Sequence, residues 1–229
     1  MKINANYDQR VLVHSDDLDW VASPMVGVDR RALDRVGGEV ARATSIVRYA
    51  PGSQFSPHVH TGGEELLVLD GIFEDEHGDF PVGSYIRNPP QSSHTPGSQL
   101  GCVIFVKLWQ FDLADRIHVR LQTDHMFAVP CRDNPGVAVI PLYSDANEQV
   151  SIQTWCANAR VSFDVTHGAE ILILKGSLTE GGDLLHKHSW LRVPMGGKIN
   201  AVVGDEDVKL WLKTGHLAQV NRDIKNLNF

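Results

Sequence analysis

Along the chain, apolar residues gather in short runs rich in Val, Ile, Leu and Phe, divided at frequent intervals by Gly, Pro, Asn and Asp. That punctuation belongs to strands and turns of a sandwich or barrel, and it predicts strands at 43–49, 65–69, 83–87, 102–111, 137–142, 150–155, 170–174 and 208–213. Helical signals are weak: residues 29–36 would make a turn or two before Gly37-Gly38 stops them. The longest apolar runs, such as 103–106 and 171–174, are strand-sized, far from the roughly 20 residues that cross a bilayer.

The pattern also repeats. Gly27-Val28 with Leu33 returns 109 residues later as Gly136-Val137 with Leu142, and Glu65-Leu66-Leu67-Val68-Leu69-Asp70-Gly71 returns after 105 as Glu170-Ile171-Leu172-Ile173-Leu174-Lys175-Gly176. Pro89 matches Pro194 at 105, and Val106-Lys107-Leu108-Trp109 matches Val208-Lys209-Leu210-Trp211 at 102. Matches in one order with a slowly drifting offset indicate two copies of one fold. Their junction falls around 116–126, which gives an N-terminal domain at 1–120 and a C-terminal one at 121–229.

One constellation in the first copy carries chemistry. Gly52 is followed by His58-Val59-His60, then Glu64 and Gly71; later come Gly83, Pro89 and His94. A spacing of two puts both imidazoles of His58 and His60 on one face of a strand. Glu64 returns across the Thr61-Gly62-Gly63 turn, and His94 follows Asn88-Pro89-Pro90, so both can join them. Three imidazoles and a carboxylate suit Zn, Fe, Mn, Ni, Co or Cu better than Ca or Mg. In the second copy an offset of 106 places Asp164 and Thr166 at the His58 and His60 positions, and 105 places Ala169 and Ile199 at Glu64 and His94. No ligand set survives there, and that copy reads as a packing partner or an apolar pocket.

Composition narrows the partners. The 229 residues carry 21 Lys and Arg against 28 Asp and Glu, a net charge of −7, which offers no footprint for a nucleic-acid backbone or a lipid surface. Residues 1–20 lack the apolar stretch of a signal peptide, so the cytoplasm is the expected compartment. Cys102, Cys131 and Cys156, an odd set without CxxC spacing, read as reduced thiols.

These motifs resemble those of the cupin superfamily. More narrowly, Arg48-Tyr49-Ala50-Pro51-Gly52, His58-Val59-His60-Thr61-Gly62-Gly63-Glu64-Glu65, Arg87-Asn88-Pro89-Pro90 and Lys107-Leu108-Trp109-Gln110 resemble the cupin domain of the ChrR anti-sigma factors. The likeness is strong over about 20–111 and weaker beyond. It implies an all-β fold of double-stranded β-helix (jelly-roll) barrels in two tandem copies, a bicupin, with one metal, zinc by resemblance, at His58, His60, Glu64 and His94. Gln91 departs from the pattern, which has Gly there. The helical zinc segment that precedes the cupin in ChrR proteins has no counterpart in residues 1–19, which hold one His and no Cys, so a regulatory partner would meet the barrel surface.

Other residues take structural readings. Glu65 faces away from Glu64 and reads as solvated or salt-bridged; the acidic 74–79 stretch is a hairpin with its tip at His77-Gly78. Trp109 and Trp211 read as core, and His118 and His125 as linker residues without a role. His186 and His188 read as a solvated hairpin with unpaired imidazoles. Tyr85 and Arg87 share a face and are candidates to orient an anionic substrate above the metal. Two functions follow: a sensor or regulator that answers an oxidant or small molecule through a partner protein, as the resemblance implies, or an enzyme. The enzyme would be a dioxygenase of diketone or flavonol type, an isomerase or a hydrolase. Exposed strand edges make a homodimer the expected assembly.

Overall fold

All eight strands expected from the apolar runs form, with ends shifted by a few residues, and every ladder is antiparallel. The computed structural model describes residues 1–38 and 40–227 and divides into two units. One holds Met1–Ala5, Leu18–Asp124 and the residues from Asn221 on; the other holds Asn6–Asp17 and His125–Val220. The early strand Val11–His14 joins the second unit by pairing with Ser189–Val193.

In the first unit the main sheet runs Val28–Gly37, Ala41–Tyr49, Cys102–Leu108, Glu64–Asp75, Ser84–Asn88, Val119–Gln122, beside a small His58–His60/Ser92–His94 ladder. The order places neighbours far apart in sequence side by side, as in a jelly roll. Val28, Val47, Leu66, Val68, Ile86, Ile104 and Val106 fill its core with Phe55 and Phe73. The second unit repeats the order as Val137–Ser144, Gln149–Trp155, Val208–Thr214, Ala169–Lys175, Ser189–Val193, and a second sheet carries Arg160–Val165 and Gly197–Val203. Its core is larger, with Trp155, Ile171, Ile173, Leu191, Ile199, Leu210 and others, each fully buried aliphatic side chain worth about 1.5–3 kcal/mol.

Residues 29–36 belong to the strand Val28–Gly37, correcting the helical expectation. Its pairing with Ala41–Tyr49 shifts register between Ala32 and Asp34, which leaves Leu33 as an extra residue. An inserted residue changes a period of two into spacings of four and five, at Val28, Ala32 and Leu33, that mimic a helix. Val137–Ser144 bulges at the matching place, around Leu142.

Registers also settle the repeat. Glu65 lies opposite Lys107, and Glu170 opposite Lys213. Lys107 is therefore equivalent to Lys213, at an offset of 106, and the match of Val106–Trp109 to Val208–Trp211 is displaced by four residues. Trp109 corresponds instead to Gly215: both have positive φ (58° and 90°), and their N–H groups donate to Gly63 and Gly168. Trp109 is only half-buried, whereas Trp211 is fully buried.

Burial sorts the thiols. Cys156 is exposed, Cys131 half-buried and Cys102 buried, where burial pushes its pKa up to about 11. A thiol-specific reagent at neutral pH should modify Cys156 fast and Cys102 only after denaturation; fast labelling of Cys102 in the native protein would contradict this packing.

Candidate metal centre

The site is built on the smallest ladder. His58–His60 pairs with Ser92–His94 so that Ser92 faces His60 and His94 faces His58. Alternation turns Val59 outward, 53% exposed, and sends His58, His60 and His94 to the other face. The turn back to Glu64 needs glycine: Gly63 has φ +79°, and a Cβ there would lie 2.6 Å from the Phe111 ring. On the other side, Gln91 takes φ 71° and donates its N–H to the His60 carbonyl at 2.9 Å. A left-handed residue is required at that turn, which is why glycine suits it, and the equivalent residue of the second unit is Gly196 at φ 72°.

Four side chains meet. Ligand atoms of His58, His60 and His94 lie within 4.8 Å of one another. His60 Nε2 is 2.9 Å from His94 Nε2, and Glu64 Oε2 is 3.4 Å from the first and 3.6 Å from the second. Asn88 donates Nδ2–H to the same Oε2 at 3.2 Å. Bonds of about 2.0–2.2 Å to one ion place its ligand atoms about 3–4 Å apart, so the set fits a transition metal. Outer partners aim the rings: His94 Nδ1 lies 3.3 Å from Asp75 Oδ2 and His58 Nδ1 lies 3.2 Å from the Ser56 carbonyl, which leaves each Nε2 for the site. Asp75, with Glu76 accepting the Thr95 N–H at 2.8 Å, ties the 74–79 hairpin to the His94 segment, a role beyond the turn expected of it.

The electrostatics divide the imidazoles. Burial lowers the His60 pKa against the pull of Glu64, which favours the neutral ring a metal needs. Burial acts likewise on His94, but the hydrogen bond to Asp75 and the charge of Glu64 outweigh it and raise its pKa. Asp75 is itself lowered, because hydrogen bonds from His94 and the His77 N–H exceed its desolvation.

A cavity of about 210 Å³ opens beside these ligands, lined by His58, His60 and Glu64, apolar Val28, Val47, Ile104 and Val106, and polar Arg30, Arg35, Ser45 and Tyr49. Tyr85 and Arg87 are not among its walls, which corrects their expected place above the metal: Arg87 lies opposite Glu65 in the ladder, on the face away from Glu64. Tyr85 donates its hydroxyl to Glu65 at 2.7 Å; Arg87 pairs with Asp115 at 2.6 Å and stacks 4.0 Å over Phe111. Glu65 is 2% exposed, so the solvated alternative is also corrected. Arg30, Arg35, Ser45 and Tyr49 are polar cavity residues that the sequence reading missed.

The second unit has lost the site more completely than the offsets suggest. Val165 accepts the N–H groups of Gly168 and Gly196, as His60 accepts those of Gly63 and Gln91, and Phe163 faces Ile199 as His58 faces His94. The residues at the ligand positions are thus Phe163, Val165, Ala169 and Ile199; Asp164 and Thr166 fall one residue too late. Val165, Ala169 and Ile199 are buried in the hydrophobic core. His186 and His188 are partnered, contrary to expectation: His186 stacks on His14 at 4.6 Å and His188 Nδ1 lies 2.9 Å from Asp16.

Comparison with known proteins agrees with this fold. Residues 8–112 match the family described as the ChrR Cupin-like domain. No curated protein matches the chain. Among solved structures, a candidate dioxygenase from Nostoc punctiforme aligns with a TM-score of 0.75 at 13% identity, covering 90% of this chain and 82% of its own. The bacterial pirin YhhW of Escherichia coli, in complex with nickel(II), aligns at 0.65 and 14%, covering 90% and 98%. The oxalate decarboxylase of Lactobacillus farciminis, as its formate complex, aligns at 0.62 and 9%, covering 89% and 85%. At such identities the likeness shows the fold: all-β, with tandem cupin units. Among the described residues no helix is long and apolar enough to cross a membrane.

Proposed function

Given a ChrR cupin-like domain over residues 8–112, we propose that this protein is a metal-dependent cupin enzyme acting on a small molecule in the cavity of its N-terminal unit. One observation carries the reading: His58, His60 and Glu64 are at once members of the ligand cluster and walls of the cavity. A ligand in that space would lie against the residues that would hold the ion. Held by His58, His60, Glu64 and His94, a divalent transition metal would supply a Lewis acid there, and a redox centre as well if it were Fe, Mn, Ni, Co or Cu. The chain's own residues do the rest. Asp75 fixes the His94 ring, Asn88 orients Glu64, and apolar walls exclude water. Tyr49, whose pKa burial raises, stays a neutral hydroxyl donor at the wall.

Metal analysis of protein purified without added salts should find one transition ion per chain. Oxygen uptake and product formation across small organic acids, β-diketones and flavonols should then reveal a turnover that Glu64→Ala removes. Absence of stoichiometric metal would sink this reading. The match to ChrR proteins favours a second one, in which the cavity ligand is a signal read by a regulatory protein; no turnover across the panel, with co-purification of a sigma factor, would select it.

A further inference from the structure

We propose that the lumen of the C-terminal unit binds an uncharged cyclic polyol of monosaccharide size, without a metal. This goes beyond the metal centre and does not depend on it. The lumen is neither filled nor apolar: it holds a cavity of about 500 Å³, within the roughly 300–1,000 Å³ of small-molecule sites. All of its lining falls within residues 131–215 of that unit.

Two walls of opposite character line this space. Gln149, Ser151 and Gln153 are alternate residues of one strand, so they share a face, spread over about 13 Å at ~3.3 Å per residue. Val161, Phe163 and Val165 do the same on a strand of the other sheet. The first unit has these walls reversed. Through the equivalence of Lys107 and Lys213, the polar stripe corresponds to Ala43, Ser45 and Val47, and Phe163 and Val165 stand at the positions of His58 and His60. Where the candidate ligand positions hold apolar groups, two wall positions that are apolar in the first unit hold amides. A barrel kept only for packing would have no reason to bring amides into its lumen, because burying an amide without partners costs free energy.

A fixed chain of hydrogen bonds ends in this cavity. Trp155 Nε1, which can only donate, gives its hydrogen to Gln153 Oε1 at 2.8 Å, and that orients the amide. Gln153 Nε2 then donates to Ser151 Oγ at 3.2 Å. A hydroxyl that accepts still has its own hydrogen to give, and none of the described residues takes that of Ser151. Ser151 therefore presents a donor to the cavity, and Gln149 adds an amide that both gives and accepts. Ring hydroxyls also do both, along an edge, while the C–H face of such a ring suits Phe163. The acids of the lining are engaged or solvated: Glu148 pairs with Lys213 at 2.8 Å, Asp145 accepts the N–H groups of Asn147 and Glu148 at 2.7 and 2.9 Å, and Asp164 is exposed.

Calorimetric titration with D-xylose, D-glucose, D-galactose and myo-inositol tests this, on zinc-loaded protein and on protein stripped of metal. At least one of them should bind the wild type alike with and without metal, with affinity falling about tenfold in Ser151→Ala and again in Gln149→Leu. Thermal unfolding of each variant checks that the fold persists. Silence from the whole panel, or equal binding by wild type and the folded double variant, overturns the proposal. So does binding that disappears on chelation, which would place the polyol at the first unit's candidate ligands instead. Adenosine, flat and aromatic, should not bind; its binding in place of the polyols would give the cavity to another class of ligand and overturn the assignment.

Discussion

Replacing His94 by Ala is expected to abolish tight metal binding by the N-terminal unit. His94 is the candidate ligand most completely fixed by its surroundings: it is 2% exposed, its Nε2 sits 2.9 Å from that of His60, and its Nδ1 lies 3.3 Å from Asp75. Its loss leaves His58, His60 and Glu64 with an unfilled corner and Asp75 without its imidazole. Zinc affinity measured against a competing chelator should fall by at least a hundredfold. Asp75→Asn, which keeps every ligand but loosens the ring, should cost about ten- to hundredfold. A metal that binds the folded state alone stabilises it by about 4.1 kcal/mol when present at a thousand times its dissociation constant. Wild-type protein should therefore melt at lower temperature once chelated, whereas His94→Ala should melt alike with and without chelator. Unchanged zinc affinity in His94→Ala would refute the ligand set.

The candidate ligand cluster was legible because a three-residue strand needs only alternation to be read. His58 and His60 two apart, a glycine turn and Glu64 form a local code, and His94 joins it through the ladder that pairs it with His58. Arg30 and Arg35 were not legible as walls of one cavity, since their shared face depends on a bulge that displaces period two by one residue. That same insertion gave residues 29–36 their helical look. The Val-Lys-Leu-Trp match misled for a different reason: strand faces of alternating Lys and apolar residues resemble one another at several registers, and pairing across the sheet is what selects one. Glu65 and Arg87 show the remaining limit. Charged residues on a strand are read as solvated, but both faces of Ser84–Asn88 and of the start of Glu64–Asp75 are buried, and the charges there are met by Tyr85, Asp115 and Phe111.

The second large effect follows from that buried layer. Glu170→Ala should destabilise the C-terminal unit by about 3–5 kcal/mol, the cost of breaking a buried charge network by removing one partner. Glu170 is fully buried, its Oε2 accepting from Trp190 Nε1 at 3.1 Å and its Oε1 lying 2.8 Å from His216 Nε2. Truncation strands the Trp190 N–H and the His216 ring and opens a void beside Trp190, itself 0% exposed. Glu170→Gln keeps the volume and one acceptor oxygen, so its cost should be smaller, about 1–2 kcal/mol. Glu65→Ala should do comparable harm in the first unit, where the carboxylate takes the Tyr85 hydroxyl at 2.7 Å; there Gln110, equivalent to His216, turns instead to the Ala43 carbonyl at 2.9 Å. Denaturant unfolding of both variants provides the measure. A loss below about 1 kcal/mol in each would show these carboxylates to be dispensable to the fold, and their recurrence in the two units would then need an explanation other than packing.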